Sequence, residues 1–196
     1  MNYFFTADTH FNHDNIIRYC QRPFKNAEKM NETLITNWNS VVGEKDTVYH
    51  LGDFGFFGSK RVLTLADIVA QLKGNIIVIP GSHDKGVANL DQPALNRVTI
   101  QRPSHSLFMI APPLLTAMFQ TGQPALQAIV MCHYAMRVWP LSHYGSWQLF
   151  GHSHGHLKPQ GKQWDVGVDA NDFFPVSLDQ LKAIMQAQVD NADLLK

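Results

Sequence analysis

The sequence predicts a single α/β domain that spans residues 1–196. Short apolar runs rich in β-branched residues alternate along the chain with segments of helical periodicity. Each of these apolar runs ends in a turn that carries histidine or aspartate. With 45% apolar residues, a chain of this length buries one well-covered core and is too short for two ordinary domains.

Five apolar runs have the composition of central strands that are buried on both faces. They span Asn2 to Ala7, Thr47 to Leu51, Asn75 to Pro80, Ala128 to Cys132 and Trp147 to Phe150. The turns after them contain, in the same order, Asp8-Thr9-His10, Gly52-Asp53, Gly81-Ser82-His83-Asp84, His133 and Gly151-His152-Ser153-His154. Because ligands gather at the carboxyl ends of the strands in such sheets, we expect these turns to meet on one rim.

Three segments have the apolar spacing of helices that pack one face against a sheet. They run from about Ala27 to Val42, from about Lys60 to Lys73, and from Leu178 to Val189. Gly74 is placed to end the second helix, and Ser177 with Gln180 three residues later predicts a capped start for the third. The stretch from Leu90 to Gln127 is richer in Pro and Gln and predicts a loop with one or two strands.

Charge and composition narrow the range of partners. Sixteen basic and sixteen acidic side chains cancel, which gives no support for duplex nucleic acid as a partner. We expect neither a membrane span nor a signal peptide, since no apolar run is long enough and the N-terminus lacks a basic leader. Cys20 and Cys132 lie far apart without a pairing pattern, so we expect a reducing, cytoplasmic location.

The residues of the turns have the chemistry of metal ligands. Imidazole and carboxylate together suit Mn, Zn, Fe or Co better than Ca or Mg, which prefer shells of oxygen alone. Six residues qualify: Asp8, His10, Asp53, His133, His152 and His154. An isolated Asp-x-His is more often a simple turn, but six such ligands at strand exits are too many for one tetrahedral ion. They predict two ions, about 3.5–4 Å apart, that share one carboxylate and activate a water.

The order of these motifs resembles that of the calcineurin-like metallophosphoesterases, in particular the compact bacterial and phage phosphoesterases. The resemblance covers residues 8 to 154 and implies a four-layer α/β/β/α sandwich of two mixed sheets flanked by helices. It also implies two divalent metal ions, with manganese first and zinc, iron, cobalt or nickel as alternatives. One ion would be held by Asp8, His10, Asp53 and His154, and the other by Asp53, His133 and His152.

The resemblance also assigns roles in catalysis. A metal-bridging hydroxide would attack phosphorus in line, and His83 would act at the leaving-group oxygen while Asp84 orients its ring. The family normally has asparagine, a ligand of the second metal, where this chain has Ser82. A hydroxyl is a shorter and weaker ligand than an amide, so we expect weaker binding at the second site and a slower enzyme.

Four further residues near the motifs are candidates for substrate contacts. They are His13, Arg18, Arg22 and Arg137. A guanidinium suits phosphate recognition, although most such arginines pair with surface carboxylates, and a histidine after a turn is as often a surface residue. His50 is expected in the core, Cys132 is expected to be buried, and Phe54, Phe56 and Phe57 are expected to be exposed, lining a pocket or a partner surface.

Two functions from different classes follow. The first is a metal-dependent phosphoesterase that acts on small, nucleotide-like esters and prefers phosphodiesters to monoesters. The alternative is a catalytically weak or inactive metal-binding interaction module with the same fold, which only Ser82 favours. The sequence does not determine the physiological substrate, the native metal or the oligomeric state.

Overall fold

A computed structural model of the chain describes residues 1–57, 63–88 and 107–191 and contains two mixed β-sheets. The strands are β1 Tyr3–Thr6, β2 Thr47–His50, β3 Asn75–Val78, β4 Phe108–Ile110, β5 Leu114–Phe119, β6 Gln127–Cys132, β7 Trp147–Phe150, β8 Gln163–Asp165 and β9 Val176–Ser177. The helices are α1 Asp14–Tyr19, α2 Ala27–Val41, α3 Leu65–Gln71, α4 Lys85–Ala88 and α5 Leu178–Ala187. Among the described helices, none has the length and apolarity that crossing a membrane requires.

In each sheet, neighbouring parallel strands end at the same edge. The first sheet has the order β4-β3-β2-β1-β9, in which β1 to β4 are parallel and β9 is antiparallel to β1. The second has the order β5-β6-β7-β8, in which β6 to β8 are parallel and β5 is antiparallel. Thr6, His50 and Val78 lie side by side, so the turns after β1, β2 and β3 leave from the same edge.

A hydrophobic core fills the space between the first sheet and helices α1 to α3. It contains Phe4, Val48 and Ile76 from the strands, with Met30, Leu34 and Trp38 from one face of α2. Each fully buried side chain of this size stabilises the fold by about 1.5–3 kcal/mol. This core holds one side of the sheet that carries the first three turns.

A second core lies between the two sheets. It contains Phe5, Leu51 and Ile79 from the first sheet side and Ile129, Met131 and Leu149 from the second, with Leu181 and Met185 from α5. Successive strand residues such as Phe4 and Phe5 point to opposite faces, so each enters a different core. The first sheet is therefore packed on both faces, as its continuous apolar strands predict.

The five predicted strands are all present, each within two residues of the predicted bounds. The segment from Leu90 to Gln127 contains β4 and β5, while residues 89–106 of it lie outside the described residues. Strands β8 and β9 and helix α1 were not predicted, since segments of two to six residues are too short to show a periodicity.

Two of the three predicted helices have nearly the predicted bounds. The first ends at Val41, and the last has its capping box at Ser177 and ends at Ala187. The helix predicted from Lys60 begins instead at Leu65, because Thr64 and Asp67 form a capping box there. Its predicted first residues, 60–62, lie outside the described residues.

Candidate metal centre

The turns after β1, β2, β6 and β7 are tied to one another by backbone hydrogen bonds. Asp8 N–H donates to Gly52 O at 3.0 Å, and His10 N–H donates to Asp53 O at 3.0 Å. Across the two sheets, His152 N–H donates to the Asp8 carboxylate at 2.8 Å. The predicted rim is therefore a single hydrogen-bonded surface on which both sheets contribute residues.

Six predicted ligands meet on this rim in two groups. The first ligand group consists of Asp8, His10 and His154, and the second ligand group consists of Asp53, His133 and His152. Within each group, one potential ligand atom per residue lies within 4.8 Å of the others. Each group therefore has the donors and the spacing that one transition-metal ion needs.

Asp53 lies between the two groups. Its Oδ2 is 3.4 Å from His133 Nε2, in its own group, and 3.6 Å from His10 Nε2, in the other. Its Oδ1 accepts a hydrogen bond of 2.8 Å from the backbone N–H of His83. One carboxylate oxygen therefore faces a histidine of each group, which is the position that a shared ligand would occupy.

Several polar atoms of these residues are buried without a hydrogen-bond partner among the described residues. They are Asp8 Oδ1, His10 Nδ1, His10 Nε2 and His133 Nε2. A buried polar group without a partner costs about 1–3 kcal/mol, so several at one point are rare unless something binds them. Imidazole nitrogens and carboxylate oxygens aimed at one place fit divalent cations, and the donor set therefore fits the two implied ions.

The backbone at the ligands is held in a conformation that L-residues rarely adopt. Asp8, His10, Asp53, His152 and His154 have φ between +49° and +66°. A residue in a sparsely populated backbone region costs about 1–3 kcal/mol and persists where the surroundings enforce it. Asp-x-His uses this conformation to turn Asp8 and His10 toward the first ligand group, whereas His-x-His turns His154 toward the first group and His152 toward the second.

Two glycines let the loops approach closely enough. A Cβ on Gly52, whose φ is +93°, would lie 2.5 Å from Gly81 N and 2.8 Å from His133 Nδ1. A Cβ on Gly151 would lie 2.5 Å from Ala7 Cβ and 2.7 Å from Asp8 Oδ2. These contacts are shorter than any side chain tolerates, so the Gly-Asp and Gly-His motifs need glycine for steric reasons.

Burial and mutual charge set the protonation of the ligands. Burial raises the pKa of Asp8 to about 7 and lowers the pKa of His10 to about 2. Burial alone would raise the pKa of Asp53, but His133, the His83 N–H and His10 together lower it well below its usual value. A neutral His10 and an ionised Asp53 are the forms that ligate a metal, and a cation would favour the ionised form of Asp8.

His154 is oriented by an aspartate that the sequence analysis missed. Its Nδ1 lies 2.7 Å from Asp169 Oδ2, which leaves Nε2 as the atom available to a metal. The Asp169 carboxylate also accepts hydrogen bonds of 2.8 and 2.7 Å from Arg22 Nε and Nη2. Asp169 follows the short strand β8 by four residues, and the Gly167-x-Asp169 pattern after it was the signal that could have identified it.

Arg22, a predicted substrate contact, is buried and does not line the cleft over the ligand groups. It is 5% exposed, and its guanidinium donates to Asp169 and to the carbonyl oxygens of Asp8 and Thr9 at 2.6 and 3.1 Å. The arginine holds the first turn and Asp169 together from behind the ligands. Sequence proximity to the motif suggested a surface role, but the long side chain reaches inward between two loops.

Asp84 does not orient His83 as the resemblance implies. It is 1% exposed, and its two oxygens accept hydrogen bonds from the N–H groups of Gly81, Asp53 and Phe54 at 2.7, 2.7 and 2.8 Å. Its carboxylate therefore fixes the backbone of the turns after β2 and β3. His83 is exposed at the mouth of the centre, with its ring centroid 5.7 Å from that of His10.

Ser82 lies beside the second ligand group. Its hydroxyl donates to the Asp53 carboxylate, with oxygen separations of 3.2 and 3.3 Å.

His50 is fully buried, as predicted, with Nε2 at 2.9 Å from the Thr9 hydroxyl. Cys132 is also buried, as predicted, whereas Phe54 is fully buried and not exposed as predicted. Phe54 packs into the core between α2, α3 and the first sheet.

A cleft of about 460 Å³ opens over the two ligand groups. It is lined by His10, His13, Ile16, Tyr19, Cys20, Asp53, Phe56, His83, His152 and His154. The predicted substrate residue His13 is among them, whereas Arg18 and Arg137 are exposed elsewhere and line no part of it. Arg18 donates instead to the Asn15 side chain at 2.7 Å.

Comparison with known proteins identifies one relative that matches most of the chain and another that matches less than half of it. No protein-family model matches the sequence. The uncharacterized protein MJ1445 of Methanocaldococcus jannaschii is 32% identical over 190 residues, which cover 92% of this chain and 89% of that protein. The gene 66 protein of Mycobacterium phage L5 is 31% identical over 83 residues, 42% of this chain and 40% of the phage protein.

The fold also has a counterpart among solved structures. The crystal structure of AQ665, a protein of unknown function from Aquifex aeolicus, superposes with a TM-score of 0.63 at 22% sequence identity. The match covers 93% of this chain and 98% of AQ665. At this identity the likeness concerns the fold, which is α/β with two mixed sheets.

Proposed function

This chain belongs to the same family as MJ1445 of Methanocaldococcus jannaschii, and we propose that it is a phosphoesterase that hydrolyses small phosphate esters with two divalent metal ions. The observation that carries the proposal is the position of Asp53 between the two ligand groups, surrounded by buried polar atoms without partners. Two ions at this point would neutralise phosphoryl oxygens and activate a water for attack.

The residues of the chain divide the work of such a centre. Asp53 is shared between the groups, and Asp8, His10, His133, His152 and His154 complete them. Asp169 holds His154 in one tautomer and one orientation, and Asp84 fixes the loops that carry Asp53 and His83. His83 is exposed at the mouth of the cleft, where it would donate a proton to the leaving-group oxygen.

The charges around the cleft favour diesters over monoesters. No lysine or arginine is found among the described residues that line it. A monoester carries up to two negative charges near neutral pH, whereas a diester carries one, so a cleft without cationic side chains selects less strongly for the dianion. The proposed substrates are therefore small phosphodiesters first and monoesters second.

The proposal also covers the fold, the metal and the cellular location. Two stacked sheets with α1 to α3 on the outer face of the first supply three layers of the proposed α/β/β/α sandwich. Manganese is the proposed metal, with zinc, iron, cobalt and nickel as competitors for the same nitrogen and oxygen ligands. The two cysteines are free thiols, which supports the cytoplasm as the place of action.

The test is hydrolysis by metal-stripped protein. Bis-p-nitrophenyl phosphate and p-nitrophenyl phosphate are supplied with Mn, Zn, Co, Ni or Mg in separate reactions. We expect metal-dependent release of p-nitrophenol, faster from the diester, that is lost in Asp53→Ala and retained in Asp179→Ala, a control at an exposed aspartate on α5. Folded protein that binds metal but releases no product with any ion would contradict the proposal and favour a metal-binding interaction module.

A further inference from the structure

The cleft over the metal centre has a second wall that carries none of the six predicted metal ligands. This apolar wall consists of Ile16, Tyr19, Cys20 and Phe56. Helix α1 supplies Ile16 and Tyr19, Cys20 follows it directly, and Phe56 comes from the loop after Asp53. The cleft of about 460 Å³ lies within the range of about 300–1,000 Å³ that is typical of small-molecule sites and exceeds what a phosphate group alone would fill.

Phe56 is fixed in place next to the reacting groups. Its backbone N–H donates to Phe11 O at 2.9 Å, and its ring stacks on His13 with centroids 4.1 Å apart and an interplanar angle of 29°. The same ring lies 5.3 Å from the ring of His83 and 6.2 Å from that of His10. A flat apolar surface therefore begins where the leaving group of an ester would lie.

Tyr19 is an exposed aromatic residue at the mouth of this cleft. Its side chain is 68% exposed at the end of α1, so its ring contributes little to the core. A single exposed aromatic residue on a surface needs no explanation, but this one shares a cavity with Phe56 and four of the six metal-ligand candidates. Most of its side chain is therefore accessible at the cleft.

Cys20 completes the wall as a small side chain. It is partly buried and packs against the core next to the first sheet, where it behaves as a small apolar residue. With no lysine or arginine along the described lining, this side of the cleft suits an uncharged group.

We propose that the apolar wall binds the nucleobase of a nucleoside phosphate ester and thereby sets the substrate class of the enzyme. The inference rests on the proposed function, because the phosphate of the same molecule would lie on the ligand groups. A base has two flat faces for Phe56 and Tyr19 and no net charge to desolvate, which matches the chemistry of the wall. Alkyl and sugar phosphates lack such a ring and would use the ligand groups alone.

The test compares two ligands that differ only in the base. Adenosine 5′-phosphonate and ribose 5-phosphonate, each with a carbon–phosphorus bond in place of the ester, are titrated calorimetrically into manganese-loaded protein. We expect the nucleoside compound to bind about tenfold more tightly, and Tyr19→Ala to remove most of that difference while Tyr19→Phe retains it. Tyr144→Ala, at a tyrosine that is 79% exposed and outside the cleft, is the matched control.

The outcomes separate this inference from the proposed function. Equal affinities for the two phosphonates, or a difference that survives in Tyr19→Ala, overturn the apolar wall as a base-binding site even if esters are hydrolysed. Base-dependent, Tyr19-dependent binding in a protein that hydrolyses no ester retains the wall and rejects only the proposed reaction. Because neither ligand has a scissile phosphate ester, binding is measured without turnover.

Discussion

Asp53 lies between the two ligand groups, which differ in how firmly their side chains are held. In the first group, Asp8 is fully buried, His10 is 2% exposed, and His154 is fixed by Asp169. Arg22 closes this arrangement by binding both Asp169 and the Asp8 carbonyl oxygen. The side chains of the first group are therefore already ordered, so binding a metal ion there would cost little further conformational entropy.

The second ligand group is more open. His133 is 1% exposed and anchored by Leu51 O at 2.7 Å, but His152 is exposed, with edge contacts to the rings of His133 and Tyr134. Ser82, a weak neutral donor, stands beside this group. The side chains of the first ligand group are therefore held more firmly than those of the second, and we expect tighter metal binding at the first group.

Asp53→Asn would remove the element common to both groups and has the largest expected effect. Loss of the shared negative charge should lower the affinity for both ions and reduce kcat by about three orders of magnitude or more. Asp8→Asn, in contrast, should weaken mainly the first ion. Metal content at increasing manganese concentration, measured by atomic emission, distinguishes the two variants, and equal loss of a single ion in both would contradict a shared Asp53.

Asp169→Asn would remove the carboxylate that orients His154 in the first ligand group, although Asp169 is not itself a predicted ligand. Losing the carboxylate that orients a histidine ligand typically lowers metal affinity by about 10–100-fold. The same change leaves buried Arg22 without its counter-charge, which should reduce the free energy of unfolding by about 3–5 kcal/mol. Calorimetric metal titration and urea unfolding measure the two effects.

The control for this variant is Asp172→Asn, at an exposed aspartate close by whose backbone conformation asparagine also tolerates. Lower stability combined with unchanged metal affinity in Asp169→Asn would assign Asp169 to the support of Arg22 alone. Asp169 would then no longer support the conclusion that the first ligand group is held more firmly than the second.

The sequence predicted the elements whose signal is local. Apolar runs identified β1, β2, β3, β6 and β7, and the six ligand candidates followed from their positions at strand exits. A strand that is buried on both faces appears in the sequence as a continuous apolar run. The end of that run locates the turn that follows the strand to within one or two residues. The rim could therefore be predicted without knowledge of which loops touch.

The supporting contacts could not be predicted in this way. Arg22 and Asp169 are 147 residues apart in sequence, and only the packing of α1 and the 3₁₀ turn after β8 brings them together. The resemblance assigned Asp84 to the orientation of His83, yet the turn directs its carboxylate to three backbone N–H groups. Long-range pairing and side-chain direction in loops depend on tertiary structure, and no local pattern reports them.

Buried His50 contributes to the pH dependence of the free energy of unfolding. Burial lowers its pKa to about 3, so between about pH 6.5 and 3 the unfolded chain binds a proton that the folded chain does not. Stability from this residue is complete above pH 6.5 and falls as the pH drops, by up to about 1.4 kcal/mol per pH unit. In metal-free protein, His50→Gln should therefore show a shallower acid loss than the wild type in urea unfolding from pH 7 to 5. Parallel curves would show that His50 is not the residue responsible.

Ser82→Asn would strengthen metal binding by the second ligand group and has the smallest expected effect. An amide oxygen is a longer and better ligand than a hydroxyl, so affinity for the second ion should rise by up to about tenfold, with a similar gain in rate at limiting manganese. Ser82→Ala removes the hydroxyl that contacts Asp53 and serves as the opposite control. The first ion should be affected less than the second in both variants, because Ser82 reaches the first ligand group only through Asp53. If Ser82→Asn changes neither the second-ion affinity nor the rate, the looseness of the second group does not arise from Ser82. The exposed ring of His152 would then be the remaining cause.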